Sequence, residues 1–300
     1  MNFSTQSEAW LANLETRKRR PAKPATLSTF RSYIRAHVVP ALGTTEISTF
    51  GNAQMREFVS RLSAQKLSPK TILEVQNAVK QIVASAVDHN GDELFPKKWN
   101  ADFIDAPIVG SQRQPTVTAE QIETAISKAP AADGVLYLLL AASGLRIGEA
   151  LSLRIGSGPG STSESSYFSD GSITVRMSLW RRREQTPKTI AGVRTVEVSE
   201  PIAARIAEFA RGRTGYLFGN GVPPSESSFR DRLSKAGIQG FHAFRRWRTT
   251  WLRKNRVQED LVRFWLGHSD RSITDGYSKL GEDEPYRREV AESVGVGFNL

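Results

Sequence analysis

A chain of 300 residues with 39% hydrophobic content can bury two cores of ordinary domain size, which excludes a chain disordered throughout. Its 41 Lys and Arg against 31 Asp and Glu give a formal net charge of +10, gathered in runs at Arg17 to Arg20, Arg181 to Arg183 and Arg245 to Arg256, a clustering that favours a polyanionic partner. The lack of cysteine excludes disulfides, thiolate metal sites and a cysteine nucleophile. With no apolar run near the roughly 20 residues that span a bilayer and no signal-peptide layout at the start, a cytoplasmic protein without a membrane partner is expected.

The first hundred residues read as punctuated helices. Thr5 and Glu8 have capping-box spacing ahead of Trp10, Leu11 and Leu14, and Arg17 to Pro24 forms a basic, proline-broken linker. A second helix is expected from near Thr26, with Leu27, Phe30, Ile34 and Val38 on one face and Pro40 with Gly43 ending it. Asn52 caps a third, carrying Met55, Phe58, Val59 and Leu62. Ser68-Pro69 opens a fourth, whose Ile72, Val75, Val79, Ile82, Val83 and Ala86 keep one side apolar as far as the stop at His89-Asn90-Gly91. The pattern loosens toward the polar stretch Gly110 to Pro115, so a helical domain over 1–110 and a second domain over 111–300 are expected.

The second domain restarts with a cap, Thr118 and Gln121, before Ile122, Ala125 and Ile126, and the helix from Val135 to Ala142 is apolar enough to be buried. Ser143 to Leu151 then sets Arg146 near a helix N-terminus, where the backbone dipole favours anions; the plainer reading is an ion pair with Glu149 at i+3. Gly156 to Gly171 is rich in Gly and Ser and reads as a loop. Alternation at Ile173, Val175 and Met177, and again over Val193 to Val198, marks two strands. Their hairpin connection carries Arg181, Arg182, Arg183 and Lys188. Helices over Pro201 to Arg211 and Ser225 to Ala236 follow, with a brief strand-like Tyr216 to Phe218 between them. The fold class is mainly α with a small antiparallel β-sheet, an α+β architecture.

Phe241 to Tyr277 is the segment on which the chemistry centres. His242 and Arg245 share a helical face, Phe244, Trp247 and Trp251 form an apolar stripe, and Arg245, Arg246, Arg248, Arg253, Lys254 and Arg256 have no acid among them, as a phosphate-facing surface would require. Leu266-Gly267-His268 and then Tyr277 complete it.

Arg146 in its Ser-Gly-Leu-Arg context, Lys188 in a β-hairpin, His242 with Arg245, Leu266-Gly267-His268 and Tyr277 stand in an order and spacing that resemble the catalytic domain of the tyrosine recombinases, or phage-type integrases, from about Pro115 to Tyr277. The helical segment before it resembles that family's core-binding domain, which clamps duplex DNA with the catalytic domain. The chain opens directly on it, which implies a compact build without a preceding arm-binding domain. Arg246 stands where the family often has histidine.

The resemblance implies a site-specific recombinase that cuts and rejoins DNA through a 3′-phosphotyrosyl intermediate. In it Tyr277 is the nucleophile, Arg146 and Arg245 clamp the phosphate, His242 takes the tyrosine proton, Lys188 protonates the leaving oxygen and His268 orients the phosphate. Glu149 holds the arginine helix in place. Arg181, Arg182, Arg183, Arg246, Arg248 and Lys254 are the expected DNA contacts. No cofactor or metal is expected, since fixed guanidinium charge serves the phosphate and the four histidines show no metal-ligand spacing. Expected partners are double-stranded DNA in the nucleoid, further copies in a tetramer on paired sites, and accessory directionality or bending proteins, with residues after Tyr277 packing on a neighbouring protomer or on their own domain. A type IB topoisomerase-like enzyme and a non-catalytic DNA-binding regulator are the competing readings.

Overall fold

The amphipathic periodicity of the first hundred residues becomes a set of packed helices. In the computed structural model, which describes residues 1–19, 21–111, 114–155, 164–219, 221–268 and 281–300, the chain divides into two compact units, Met1–Arg113 and Gln114–Leu300. In the first, α1 (Phe3–Thr16) starts earlier than the Thr5 spacing predicts, because Asn2 is extended and its side chain accepts from the Thr5 N–H at 3.0 Å. Then α2 (Pro24–Tyr33) runs through a wide π turn at Ile34–Val38, where the Val39 N–H reaches back to Ile34, into α3 (Val39–Leu42). The run ends at Gly43 as expected but passes through Pro40 first, because the wide turn accommodates a residue that has no N–H and crowds the carbonyl four residues before it. Two longer helices follow, α4 (Asn52–Ala64) behind Gly51 and α5 (Pro69–Ala84) capped by Ser68. The latter ends before His89, at Ser85, whose hydroxyl turns back to the Ile82 carbonyl at 2.7 Å. Beyond it lies α6 (Ala101–Ile104). Phe3, Phe50, Met55, Phe58, Val75, Val79 and Ile82 fill the core between them.

The second unit is built around α8 (Ala131–Ser143), buried from Asp133 to Ser143. It follows α7 (Ala119–Lys128), which carries the Thr118–Gln121 capping box, and leads into the short α9 (Ile147–Leu151). The strands are β1 (Arg154–Ile155), β2 (Tyr167–Ser169), β3 (Ser172–Val175), β4 (Ser178–Trp180), β5 (Arg183–Gln185), β6 (Arg194–Glu197) and β7 (Gly215–Tyr216). Five of them form one sheet in the order β6-β3-β2-β1-β7, while β4 and β5 pair as a separate hairpin.

Two expectations change here. The sheet is mixed, because β1 and β2 run parallel, a pairing that two strands joined by a tight turn could not make. The stretch Gly156 to Gly171 is not all loop, since Tyr167 and Phe168, aromatics suited to a pleated surface, lie in β2.

The remaining helices are α10 (Glu200–Ala210), α11 (Glu226–Lys235), α12 (His242–Lys254), α13 (Glu259–Leu266) and α14 (Glu284–Val294). The last folds on its own unit: Ala291 is buried, Arg287 donates to Glu197 at 2.9 Å, and the Trp251 indole N–H donates to the Val294 carbonyl at 3.0 Å. Glu197 also receives the Trp265 indole N–H at 2.7 Å, which joins β6, α13 and α14. Among the described residues no helix is long and apolar enough to cross a membrane.

Candidate active site

The centre of the site is the break between α8 and α9. Gly144 ends α8 with φ +68°, a left-handed turn that favours glycine, and a Cβ there would lie 2.9 Å from Leu266 Cδ2 at the end of α13, which shows how closely the two helix ends meet. Two residues on, Arg146 caps α9. Its backbone N–H and Nη1 donate to the two oxygens of Glu149 at 3.0 and 2.8 Å. The ion pair at i+3 is therefore real, yet it does not consume the arginine, whose side chain remains 32% exposed.

Glu149 is buried and takes a second cation, Arg194 Nη2, at 3.0 Å. Burial alone pushes its pKa up, but Arg194 and Arg146 outweigh that and hold it below the ordinary carboxylate range. The carboxylate is thus an anionic pin between two guanidinium groups.

Arg245 comes to the same place from α12. It is buried, and its Nη1 donates to the Gly144 carbonyl at 2.8 Å while Nη2 donates to the Leu266 carbonyl. Of the five N–H donors a guanidinium carries, those left over are available to an anion. Burial and then Arg146 push its pKa down to about 9, so the group stays cationic at neutral pH.

His242 begins α12, and His268 follows Gly267 at the end of α13. Both residues reach solvent but their rings are partly desolvated, and both imidazoles are pushed below their ordinary pKa, by that partial burial first and then by Arg245 and Arg146, with Arg246 also acting on His242 and Arg194 and Arg263 on His268. Two histidines that feel the same two arginines face one region of positive potential. Among the described residues no three His, Asp or Glu side chains gather as a metal site requires.

The description "Phage integrase family" belongs to the family model that matches residues 115–284, more than half the chain. The chain belongs to the phage integrase family. A relative from Caldanaerobacter subterraneus subsp. tengcongensis, described as "Tyrosine recombinase XerC-like", is 26% identical over 295 residues, which covers 84% of this chain and 73% of that protein. Among solved structures, the Tn1549 transposon integrase in complex with a circular intermediate DNA aligns with a TM-score of 0.71 at 19% identity over 90% of this chain and 92% of that one. A lambda integrase dimer bound to a COC' core site gives 0.65 at 12% over 100% and 99%. A lambda integrase tetramer bound to a Holliday junction gives 0.65 at 12% over 93% and 80%. At these identities the structural likeness speaks for the integrase fold.

The other expected site residues of this integrase-family chain are placed as follows. Lys188 is exposed in the bend after β5, ahead of a tight turn at Ile190–Gly192. Tyr277 lies outside the described residues. Arg181 and Arg182 form the two-residue turn between β4 and β5, both with positive φ, and with Arg183 they are exposed. Lys254 is exposed in the last turn of α12, whereas Arg246 is half-buried and donates to the Pro115 carbonyl at 2.6 Å.

Arg248 must be corrected as a DNA contact. It is 3% exposed, donates to the Gly295 carbonyl at 2.5 Å, and burial pushes its pKa down to about 10. The basic run in α12 is accordingly no single phosphate-facing surface: Arg245 and Arg248 point inward, and Arg253 is paired with Glu259 at 2.7 Å.

Sequence reasoning overlooked Arg194. The signal was there in β6, where Arg194 shares with Val196 the face that enters the core.

Proposed function

We propose that this chain is a site-specific DNA recombinase that cuts and rejoins strands through a covalent 3′-phosphotyrosyl intermediate on Tyr277, without metal or ATP. The observation that carries the reading is the convergence of Arg146 and Arg245 on the Gly144 turn with His242 and His268 beside them. The integrase-family match spans Lys188 and Tyr277, which supports reading them as the rest of the set.

A phosphodiester repels nucleophiles through its anionic oxygens, and fixed guanidinium groups offset that charge as it builds on the non-bridging oxygens. The Tyr277 hydroxyl attacks phosphorus, its proton passes to His242, and a new phosphorus–oxygen bond forms as the bond to the 5′ oxygen breaks. Lys188 protonates that oxygen, which leaves as a 5′ hydroxyl. His268 hydrogen-bonds the phosphate and orients it. Bond energy is retained in the adduct, so a 5′ hydroxyl from another strand reverses the step and completes exchange.

Exposed Arg181, Arg182 and Arg183 on the β4–β5 hairpin and Lys254 on α12 suit phosphate contacts, and half-buried Arg246 on α12 is a further candidate. Pairs of sites held by four copies of the chain would place two strands for exchange, and accessory bending or directionality proteins would bias the outcome. A cytoplasmic, nucleoid-associated location follows from the substrate.

The test is a nicked duplex recovered by binding selection from a random-sequence pool, incubated with the wild-type chain and with Tyr277→Phe. A covalent protein–DNA adduct is expected from the wild type alone. Failure of the wild type to form one on any selected duplex would refute the reading. Recombinant product from paired sites distinguishes exchange from relaxation of supercoils.

A further inference from the structure

Arg194 is a fully enclosed cation in this neighbourhood: its side chain has no exposed surface. From β6 its guanidinium donates in three directions, Nε to the Trp265 carbonyl at 2.6 Å, Nη1 to the Gly192 carbonyl at 2.9 Å and Nη2 to Glu149 at 3.0 Å. Each acceptor belongs to a different strand of the proposed chemistry. Glu149 holds the backbone and side chain of Arg146. Gly192 closes the tight turn that follows Lys188. Trp265 lies in the last turn of α13, just ahead of Gly267 and His268.

Gly267 shows how closely these parts meet. Its φ is +63°, and a Cβ there would stand 2.9 Å from Arg194 Nη1 and 3.0 Å from the Ala191 carbonyl. The guanidinium plane therefore fills the space that a side chain at residue 267 would need.

We infer that Arg194 is a positioning residue for phosphoryl transfer: its guanidinium locks the carboxylate that aims Arg146 and, in the same plane, sets the segments that carry Lys188 and His268. The inference rests on the recombinase reading above. A group serving stability alone has no need of this design, because a well-packed apolar side chain in place of a buried ion pair is often as stable or more so. Nor does lysine replace it, since an ammonium on a flexible stem offers no rigid fork for three divergent acceptors.

The test measures single-turnover adduct formation by the full chain on the selected nicked duplex, alongside gel-shift affinity and thermal unfolding, for wild type, Arg194→Lys and Arg194→Gln. Each is assayed with a normal scissile phosphodiester and with a neutral methylphosphonate, which lacks one of the anionic oxygens that Arg146 offsets. Loss of an outer ligand-orienting partner typically lowers activity about 10- to 100-fold. A slowing of about that size is expected on the phosphodiester, with affinity within about threefold of wild type. On the methylphosphonate the deficit should shrink several-fold, because the misaimed arginine has less charge to offset.

Equal deficits on the two substrates, or a wild-type rate in both variants, would overturn the inference. So would loss of the wild-type unfolding transition in both, which would make the side chain structural. A wild type that forms no adduct refutes the recombinase reading together with this one; a wild type that reacts while the variants match it refutes this one alone.

Discussion

Replacing Glu149 with glutamine takes one negative charge from between two guanidinium groups while keeping the shape of the side chain. The carboxylate is 1% exposed, and it accepts from the Arg146 N–H at 3.0 Å, from Arg146 Nη1 at 2.8 Å and from Arg194 Nη2 at 3.0 Å. An amide has one acceptor oxygen, and its NH2 would be turned toward guanidinium donors. Arg194 then keeps its two carbonyls but loses its carboxylate. Removing one partner of a buried ion pair costs about 3–5 kcal/mol, and the surviving carbonyl contacts put the loss near the lower end. In a unit of this size a kcal/mol moves the midpoint by about 2–4 °C, so Glu149→Gln should melt roughly 6–12 °C below wild type.

Tryptophan fluorescence is the suitable probe, because Trp180, Trp247, Trp251 and Trp265 lie in the second unit and only Trp10 and Trp99 in the first. The pH dependence gives a second handle. The folded pKa of Glu149 lies below the ordinary carboxylate value of about 4.3, so the stabilisation is complete above that value and is lost as pH falls through the folded pKa. The gap between wild type and variant should stay flat from about pH 8 to 5 and narrow only in stronger acid. A midpoint within about 2 °C of wild type, or a gap that closes between about pH 7 and 5, would refute the reasoning.

The depressed pKa of His242 makes its neutral, proton-accepting form available at lower pH than for an ordinary histidine. The acid limb of adduct formation should therefore fall below the usual value of about 6.5, and Arg246→Gln should move it upward; a limb at or above that value in the wild type contradicts the assignment of His242 as base. Arg248→Met should lower the melting temperature and leave the salt dependence of DNA binding unchanged, because the guanidinium is internal. Lys254→Ala should do the reverse, reducing the salt slope by about one unit with the melting temperature unmoved. Binding isotherms at several salt concentrations with parallel melts decide both, and a changed slope for Arg248→Met would restore it as a phosphate contact.

Those contrasts follow from which parts of the molecule are local in sequence. Arg146 with Glu149 and His242 with Arg245 were legible because a cap position and an i, i+3 spacing fix geometry within one helical turn. Arg248 was misread for want of the same rule. Phe244, Arg248 and Leu252 stand four apart on α12 and are all buried, so helical period assigns the arginine to the core face that a count of basic residues ignores. Arg194 was overlooked because the Trp265 carbonyl and the Glu149 carboxylate that hold it are far away in sequence, and strand alternation alone shows only that an arginine points inward. The parallel β1–β2 pair left no trace, since two residues are too few to carry a period. Gly43 was legible as the end of its helix, whereas Pro40 just before it gave no sign of lying inside the helix, because a π turn that absorbs it has no composition signal of its own.

The way the buried arginines are satisfied explains how the site keeps its charge. Arg146, Arg194 and Arg245 bring three cations together, and among the described residues the carboxylate bound by them is Glu149. The other acceptors are backbone carbonyls: Gly192 in the tight turn before β6, Gly144 after α8, and Trp265 and Leu266 in the last turn of α13. Both helices end in a left-handed glycine, and their final carbonyls lack intrahelical partners and carry the negative end of the helix dipole. The arginines thus cap two helix C-termini, and neutral dipoles supply most of their hydrogen bonding. Had carboxylates done so, burial would have been equally well compensated, but the positive charge would have been cancelled before any anion arrived. Carbonyl dipoles hold the guanidinium groups in position and leave a net positive field, which reaches solvent through the partly exposed Arg146 where a phosphate would be received.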